Sequence, residues 1–417
     1  MKQLLLILMV AGSLAGSVWG VAEPAAKAPE PAKAPEPAKA PEAAKVPAAP
    51  KIGNVPVDNG VAQFSCRGET RMYEYRIYLP KGYSAKENAA RTYPMILIST
   101  LEGDADMKPV AKWVETNQWI VVMFVGDREG PRRLVTEHFS AVIRDSLMRF
   151  RINKNMLVAM GFGEAARKSA QFVSENKGIN AVIQSGAVSA ANSLARGRKV
   201  MLGTIIGVDD VRFTRLTSTI KKFPQAYLNL QYQATGHEPA TPEAAGAVLD
   251  WIQEGFYLSF PAKPAAAEAL CKQYDARYAV VKTACEKIAI REFQKKLLFK
   301  HKLTRTLPQR ERLKGIDADL RTLKKDRSII RELAARKAFG TLHLKAGLAL
   351  ASFATKEMAD SKDADRYGVD LPDPEKKEAV FKGMRKAYEA MIKKYDGTCA
   401  AIAAKAELKM FLTAHDV

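Results

Sequence analysis

Residues 157–170, LVAMGFGEAARKSA, pass from an apolar strand through a turn of small residues into a helix. In this layout a G-x-S-x-G turn raises a serine Oγ to attack an acyl carbon, with a histidine as base and an aspartate orienting it. Gly161, Phe162, Gly163, Glu164 and Ala165 fill the five positions, so Gly163 stands where the serine belongs. The partners follow in the order acid, then histidine. TIIGVDD is an apolar strand with Asp210 just beyond Gly207, and QATGHEPATPEAAGAVLDWI sets His237 between a strand and a helix. Glycine brings no nucleophile, although it tolerates the strained backbone of such a turn. Ala165 replaces the last glycine and stays small enough for a helix to lie close on its strand.

These residues need elements to position them. From about residue 53 to 262 the chain alternates between short apolar runs and helical stretches. The expected strands are MYEYRIYLP, YPMILIST, WIVVMFV, NMLVAMG, NAVIQSG, KVMLGTIIGV and QAYLNLQYQ. Several are continuously apolar and β-branched, as strands buried on both faces are. Helices are expected at HFSAVIRDSLMRF, EAARKSAQFVSEN and PEAAGAVLDWIQEGF, the last opened by Thr241 as N-cap and Pro242 at the first helical position. Such alternation predicts an α/β fold with a mainly parallel sheet covered by helices, and a site at the carboxyl ends of its strands.

The span 53–262 resembles the polyhydroxybutyrate depolymerase and feruloyl esterase branch of the α/β-hydrolases. YRIYLPKGYSAKENAARTYPMILIST is similar to the opening strands of that branch, and FRINKNMLVAMGFGEAAR to its approach to the nucleophile. TIIGVDD is similar to its HGTxD segment, and the stretch around His237 to its GGGHxxP segment. The resemblance implies an α/β-hydrolase-like sheet with His237 and Asp210 at the catalytic base and acid positions. It further implies a pocket and oxyanion region at Gly163, Glu164, Thr100, Leu101 and Glu102, with no cofactor.

Two departures weigh against hydrolysis. The nucleophile position holds Gly163, and the strand YPMILIST runs into TLEGDAD rather than the usual His-Gly pair. Glu102, Asp104 and Asp106 bring negative charge that opposes a developing oxyanion. The expectation is therefore a catalytically inactive relative that binds or scaffolds at the cell envelope, with a polysaccharide or ester-bearing polymer as the ligand the resemblance implies. The rival is an esterase or depolymerase working through His237 and Asp210 with water, or with Ser169 or Ser185 as a displaced nucleophile. A third reading is a structural envelope protein whose net charge of +20 binds acidic polymer. Nucleic acid is not an expected partner for an exported chain.

Export is read from the start of the chain. Lys2 precedes the apolar run Leu4–Val10, with small residues at Gly20 and Ala22, which predicts a signal peptide over 1–22. The run is short for a membrane span, and no cysteine stands near the cleavage region for a lipid anchor. The expected location is secreted or periplasmic. Residues 23–52 repeat Ala, Pro, Lys and Glu, a semi-rigid polyproline II spacer reaching on the order of 80 Å. Cys66, Cys271, Cys285 and Cys399 are disulfide-permissive in that compartment, with three full pairings open. Nothing has metal-site spacing, so no metal is expected.

From 265 to 417 strand-like runs give way to Lys, Arg, Glu and Leu at helical spacing. Ile288, Phe293 and Leu297, then Leu313, Ile316, Leu320 and Leu323 past Pro308, predict an amphipathic helical hairpin. Residues 376–413 resemble the seam between tetratricopeptide helices, joined at YDGT. This predicts an all-α C-terminal domain that takes a protein partner in a groove or packs on the sheet.

Overall fold

The computed structural model describes residues 59–101, 103–126, 132–188, 194, 200–208, 210, 213, 223, 227–260, 264–350 and 374–414. The expected signal, the Ala/Pro-rich spacer and Glu102 lie outside the described residues. The strands are β1 (Val61–Arg67), β2 (Met72–Tyr78), β3 (Tyr93–Ser99), β4 (Ile120–Phe124), β5 (Ile152–Phe162), β6 (Ala181–Ser185), β7 (Met201–Gly207) and β8 (Leu228–Gln233). They form one eight-stranded sheet in the order β1-β2-β4-β3-β5-β6-β7-β8. Only β2 runs against its neighbours, and the other pairings are parallel. This is the mainly parallel sheet covered by helices that the alternating sequence leads one to expect.

Period-two geometry explains the continuous apolar runs. Every residue of β3 is buried. Its Ile96 and Ile98 join one core with α1 (Ala111–Asn117) and α4 (Pro242–Ser259), and its Met95 and Leu97 join another with α2 (Arg132–Arg149) and α3 (Gly163–Glu175). A fully buried aliphatic side chain contributes about 1.5–3 kcal/mol, so a strand covered on both faces is mostly apolar. Strand β1 is different. Its burial alternates, with Phe64 and Cys66 facing inward between exposed Gln63, Ser65 and Arg67. That half-buried edge was not among the strands expected from sequence. Helix α4 begins as predicted: Thr241 Oγ1 accepts the N–H of Ala244 at 3.3 Å, with Pro242 in the first turn.

The C-terminal region is helical: α5 (Pro264–Val280), α6 (Ala284–Lys300), α7 (Leu307–Lys325), α8 (Arg327–Leu350), α9 (Pro374–Lys394) and α10 (Cys399–Ala414). Helices α6 and α7 are the hairpin predicted around Pro308, which lies in the first turn of α7. Arg291 joins three helices, bonding Asp275 on α5 at 3.0 Å and Asp319 on α7 at 2.8 Å. These helices build directly onto the sheet. Ile288, Phe293, Leu297, Ile316 and Leu320 belong to the same apolar cluster as Ile96, Val158 and Ile183.

Helices α8, α9 and α10 cover the β8 edge. Phe381, Met384, Tyr388 and Met391 on α9 recur at helical spacing and share a cluster with Ala404, Leu408 and Phe411 on α10 and Leu230 and Tyr232 on β8. The apolar stripe that the sequence offers to a partner is thus used against the chain's own sheet. No helix among the described residues is long and apolar enough to cross a membrane.

All four cysteines are free thiols, and Cys66, Cys271 and Cys285 are buried. Burial pushes the Cys66 thiol up to about 12 and those of Cys271 and Cys285 up to about 11. Thiols so protonated are poor nucleophiles at neutral pH.

Glu254 on α4 carries a testable electrostatic load. Burial and the nearby Asp250 carboxylate push its pKa from 4.5 up to about 7, while Tyr274 donates to it at 3.2 Å. Because the folded value exceeds the unfolded one, stability falls as pH rises from about 4.5 to about 7. Glu254→Gln removes that loss. Urea unfolding should find the variant more stable than wild type by on the order of 2 kcal/mol at pH 8, with the gap closing at pH 5.

Candidate functional site

The carboxyl ends of the central strands lie level. Ser99 pairs with Gly161, Phe162 with Ser185, Ser185 with Ile205, and Gly207 with Gln233. The segments that follow these ends carry Thr100, Leu101, Gly163, Asp210 and His237, so topology alone gathers them at one edge of the sheet.

Strand β7 ends in a close approach. A Cβ on Gly207 would lie 2.0 Å from the Thr235 carbonyl oxygen and 2.2 Å from that of Gly236. Only glycine lets the end of β7 meet the loop after β8 at this distance. The turn beyond it is held by the Asp210 N–H donating to the Gly207 carbonyl at 3.1 Å. Gln233 steadies the partner loop, its backbone carbonyl accepting from Val208 at 3.1 Å and its side-chain oxygen from the Thr241 N–H at 3.2 Å.

This approach delivers a hydrogen bond between two side chains predicted as partners. His237 Nδ1 lies 2.8 Å from Asp210 Oδ2, with the Asp210 side chain 0% and the His237 side chain 35% exposed. A carboxylate accepts only, so Nδ1–H donates; in the neutral ring Nε2 then carries the lone pair. The Phe162 ring stacks on the imidazole at a centroid separation of 4.6 Å. Sequence reasoning missed both supports, Phe162 and Gly207. The signal for each was local: an aromatic residue just before the turn, and a glycine closing an apolar strand.

Gly163 faces the imidazole. It opens α3 in the left-handed region at φ +54°, and a Cβ there would lie 3.2 Å from His237 Nε2. The imidazole edge at Nε2 therefore borders the place a side chain at 163 would occupy. Ala165 is buried, its main chain lying against β5 at Gly161.

The other expected residues are placed as follows. Glu164, in the first turn of α3, is bonded by Arg167, with Nε at 2.6 Å. Thr100 and Leu101 are half-buried directly after β3. Asp104 accepts from the Gly126 N–H at 3.2 Å and lies 3.7 Å from Arg76, while Asp106 accepts from the Lys108 N–H at 3.1 Å. Ser169 is buried with its Oγ 2.8 Å from Ser99 Oγ, and the buried Ser185 hydroxyl has no hydrogen-bond partner among the described residues. No cluster of three or more metal-ligating side chains occurs among the described residues.

No family model matches the chain, and no curated protein matches it. Solved structures do. An S-formylglutathione hydrolase from Staphylococcus aureus is 12% identical, covering 48% of this chain and 99% of its own, at a TM-score of 0.38. A ferulic acid esterase is also 12% identical, over 46% and 96% of the two chains at 0.38. The esterase domain of a Rhodothermus marinus protein is 12% identical, over 46% and 97% at 0.34.

The contact at Gly207 sets a prediction. Gly207→Ala forces apart the two loops that bring Asp210 to His237 and should cost about 1–3 kcal/mol in chemical denaturation. Gly178→Ala, whose Cβ would meet nothing within 4 Å, should stay within about 0.5 kcal/mol of wild type.

Proposed function

We propose that this chain keeps the acid–base pair of a serine hydrolase without its nucleophile and acts as a binding or scaffolding module at the cell envelope. One observation carries the reading. His237 Nε2 lies 3.2 Å from the Cβ position of a residue that has no Cβ. In Ser-His-Asp chemistry a base so placed takes the proton of a serine hydroxyl. Here the base is oriented by a buried carboxylate and stacked on Phe162, and the group it would deprotonate is missing.

The two serines expected as substitutes do not help. Ser169 is sealed under α3 against Ser99, and Ser185 is buried at the end of β6. On this reading Gly163 is the glycine that replaced a nucleophile. The sheet edge that carries Thr100, Leu101, Gly163 and His237 receives a polysaccharide or ester-bearing polymer. The helices from 264 onward buttress the sheet rather than offer a groove, because their apolar stripes are spent on β8 and α4. Export through a cleaved segment at 1–22, with 23–52 as spacer, would place the module at the envelope.

The test restores the missing atom. In Gly163→Ser the hydroxyl stands one bond beyond a Cβ already close to Nε2, so little beyond a small shift of the ring is needed. The substitution places an L residue at φ +54° and should cost about 1–2 kcal/mol. It should also make the protein react covalently with a serine-directed fluorophosphonate and speed nitrophenyl acetate hydrolysis by about 10²-fold or more. Both gains should vanish in Gly163→Ser/His237→Ala. A folded Gly163→Ser protein that neither labels nor hydrolyses would mean that the dyad is not the remnant of a hydrolytic site.

A further inference from the structure

A second histidine–carboxylate pair, this one buried, lies outside the site, where α8 and α10 meet β8. His343 on α8 is 4% exposed. Its Nδ1 lies 2.7 Å from Glu407 Oε2 on α10, and its Nε2 lies 3.3 Å from the backbone carbonyl of Leu230 on β8. Both neighbours are acceptors. A neutral imidazole has one N–H and can satisfy only one of them, whereas an imidazolium donates to both.

The rest of the pocket is consistent with a charge held there. Tyr388 on α9 donates to the other oxygen of Glu407, so that carboxylate is bonded on both sides. Tyr232 on β8 lies with its ring 4.4 Å from the imidazole and donates to the His343 carbonyl at 3.4 Å. Phe339, one turn earlier on α8, closes another side at 6.1 Å. Glu407 is the charged group facing His343 across these elements, with Tyr232 and Tyr388 the other titratable ones.

We propose that His343 is a protonation-dependent latch that fastens α8 and α10 to β8, the edge strand running into the loop that carries His237. Protonated, the ring ties a helix carboxylate to a backbone carbonyl of the edge strand. Deprotonated, it must release one of the two. Burial opposes the charged ring, but the Glu407 carboxylate and the Leu230 carbonyl outweigh it and raise the pKa above 6.5. The sign follows: the fastening is complete below about pH 6.5 and is lost as pH rises through the folded value.

Two readouts on the full-length protein test this. Long-range proton–nitrogen correlation spectra, with the resonance assigned from its loss in His343→Gln, should show both ring nitrogens of His343 protonated at pH 6. They should titrate to the neutral form only above that. Amide hydrogen exchange in β8 and α10, corrected for intrinsic rates, should then quicken at least about threefold from pH 6.5 to 9. In His343→Gln that pH dependence should disappear. If His343→Gln fails to fold, Glu407→Gln serves, and there the His343 pKa should drop below 6.5. A single neutral tautomer at pH 6, or exchange in β8 and α10 that ignores pH in wild type, would overturn the proposal.

Discussion

The buried carboxylate of Asp210 sets the terms for the sheet edge around it. A charge removed from water is tolerable only with strong partners, and His237 Nδ1 supplies one hydrogen bond at 2.8 Å. For that bond to form, the loop after β7 and the loop after β8 must nearly touch, which the missing side chain of Gly207 permits. The loop after β8 is in turn anchored by Gln233 and by the capped start of α4. Orientation of the imidazole toward Gly163 is thus a consequence of backbone contacts laid down well away from it.

The same strand, β8, links the site to the helical region. An edge strand exposes unpaired backbone groups and invites pairing with other chains. Here α8, α9 and α10 cover it, with Tyr232 and Leu230 in their shared apolar cluster and His343 on the Leu230 carbonyl. On the other side of the sheet core, α5 to α7 extend the layer begun by α4 and are tied together through Arg291 and its two aspartates. The C-terminal helices therefore complete the sheet's burial.

Much of this was legible in the sequence, for identifiable reasons. Strands buried on both faces write continuous apolar runs, and β3 to β7 were readable from them. Asp210 and His237 were readable because their order and their positions after strands are constraints along the chain. Strand β1 was not, since a half-buried edge leaves only Phe64 and Cys66 as a pattern. Phe162 and Gly207 take their roles from what they meet in space, Phe162 a histidine 75 positions on and Gly207 a loop beyond β8. Four cysteines in an expected export context left disulfides open, whereas the fold buries three of them as separate thiols. The latch at His343 was invisible for the same reason as Phe162: its partners come from β8 and α10.

The central claim is that an oriented base stands here without a nucleophile. Its most direct test is the hydrolysis of a short-chain nitrophenyl ester by the unaltered protein beside His237→Ala, at equal concentration and against a buffer blank. The account predicts that the two rates coincide and match the blank. Turnover in the unaltered protein that disappears in His237→Ala would contradict it, because His237 would then be activating water or another nucleophile.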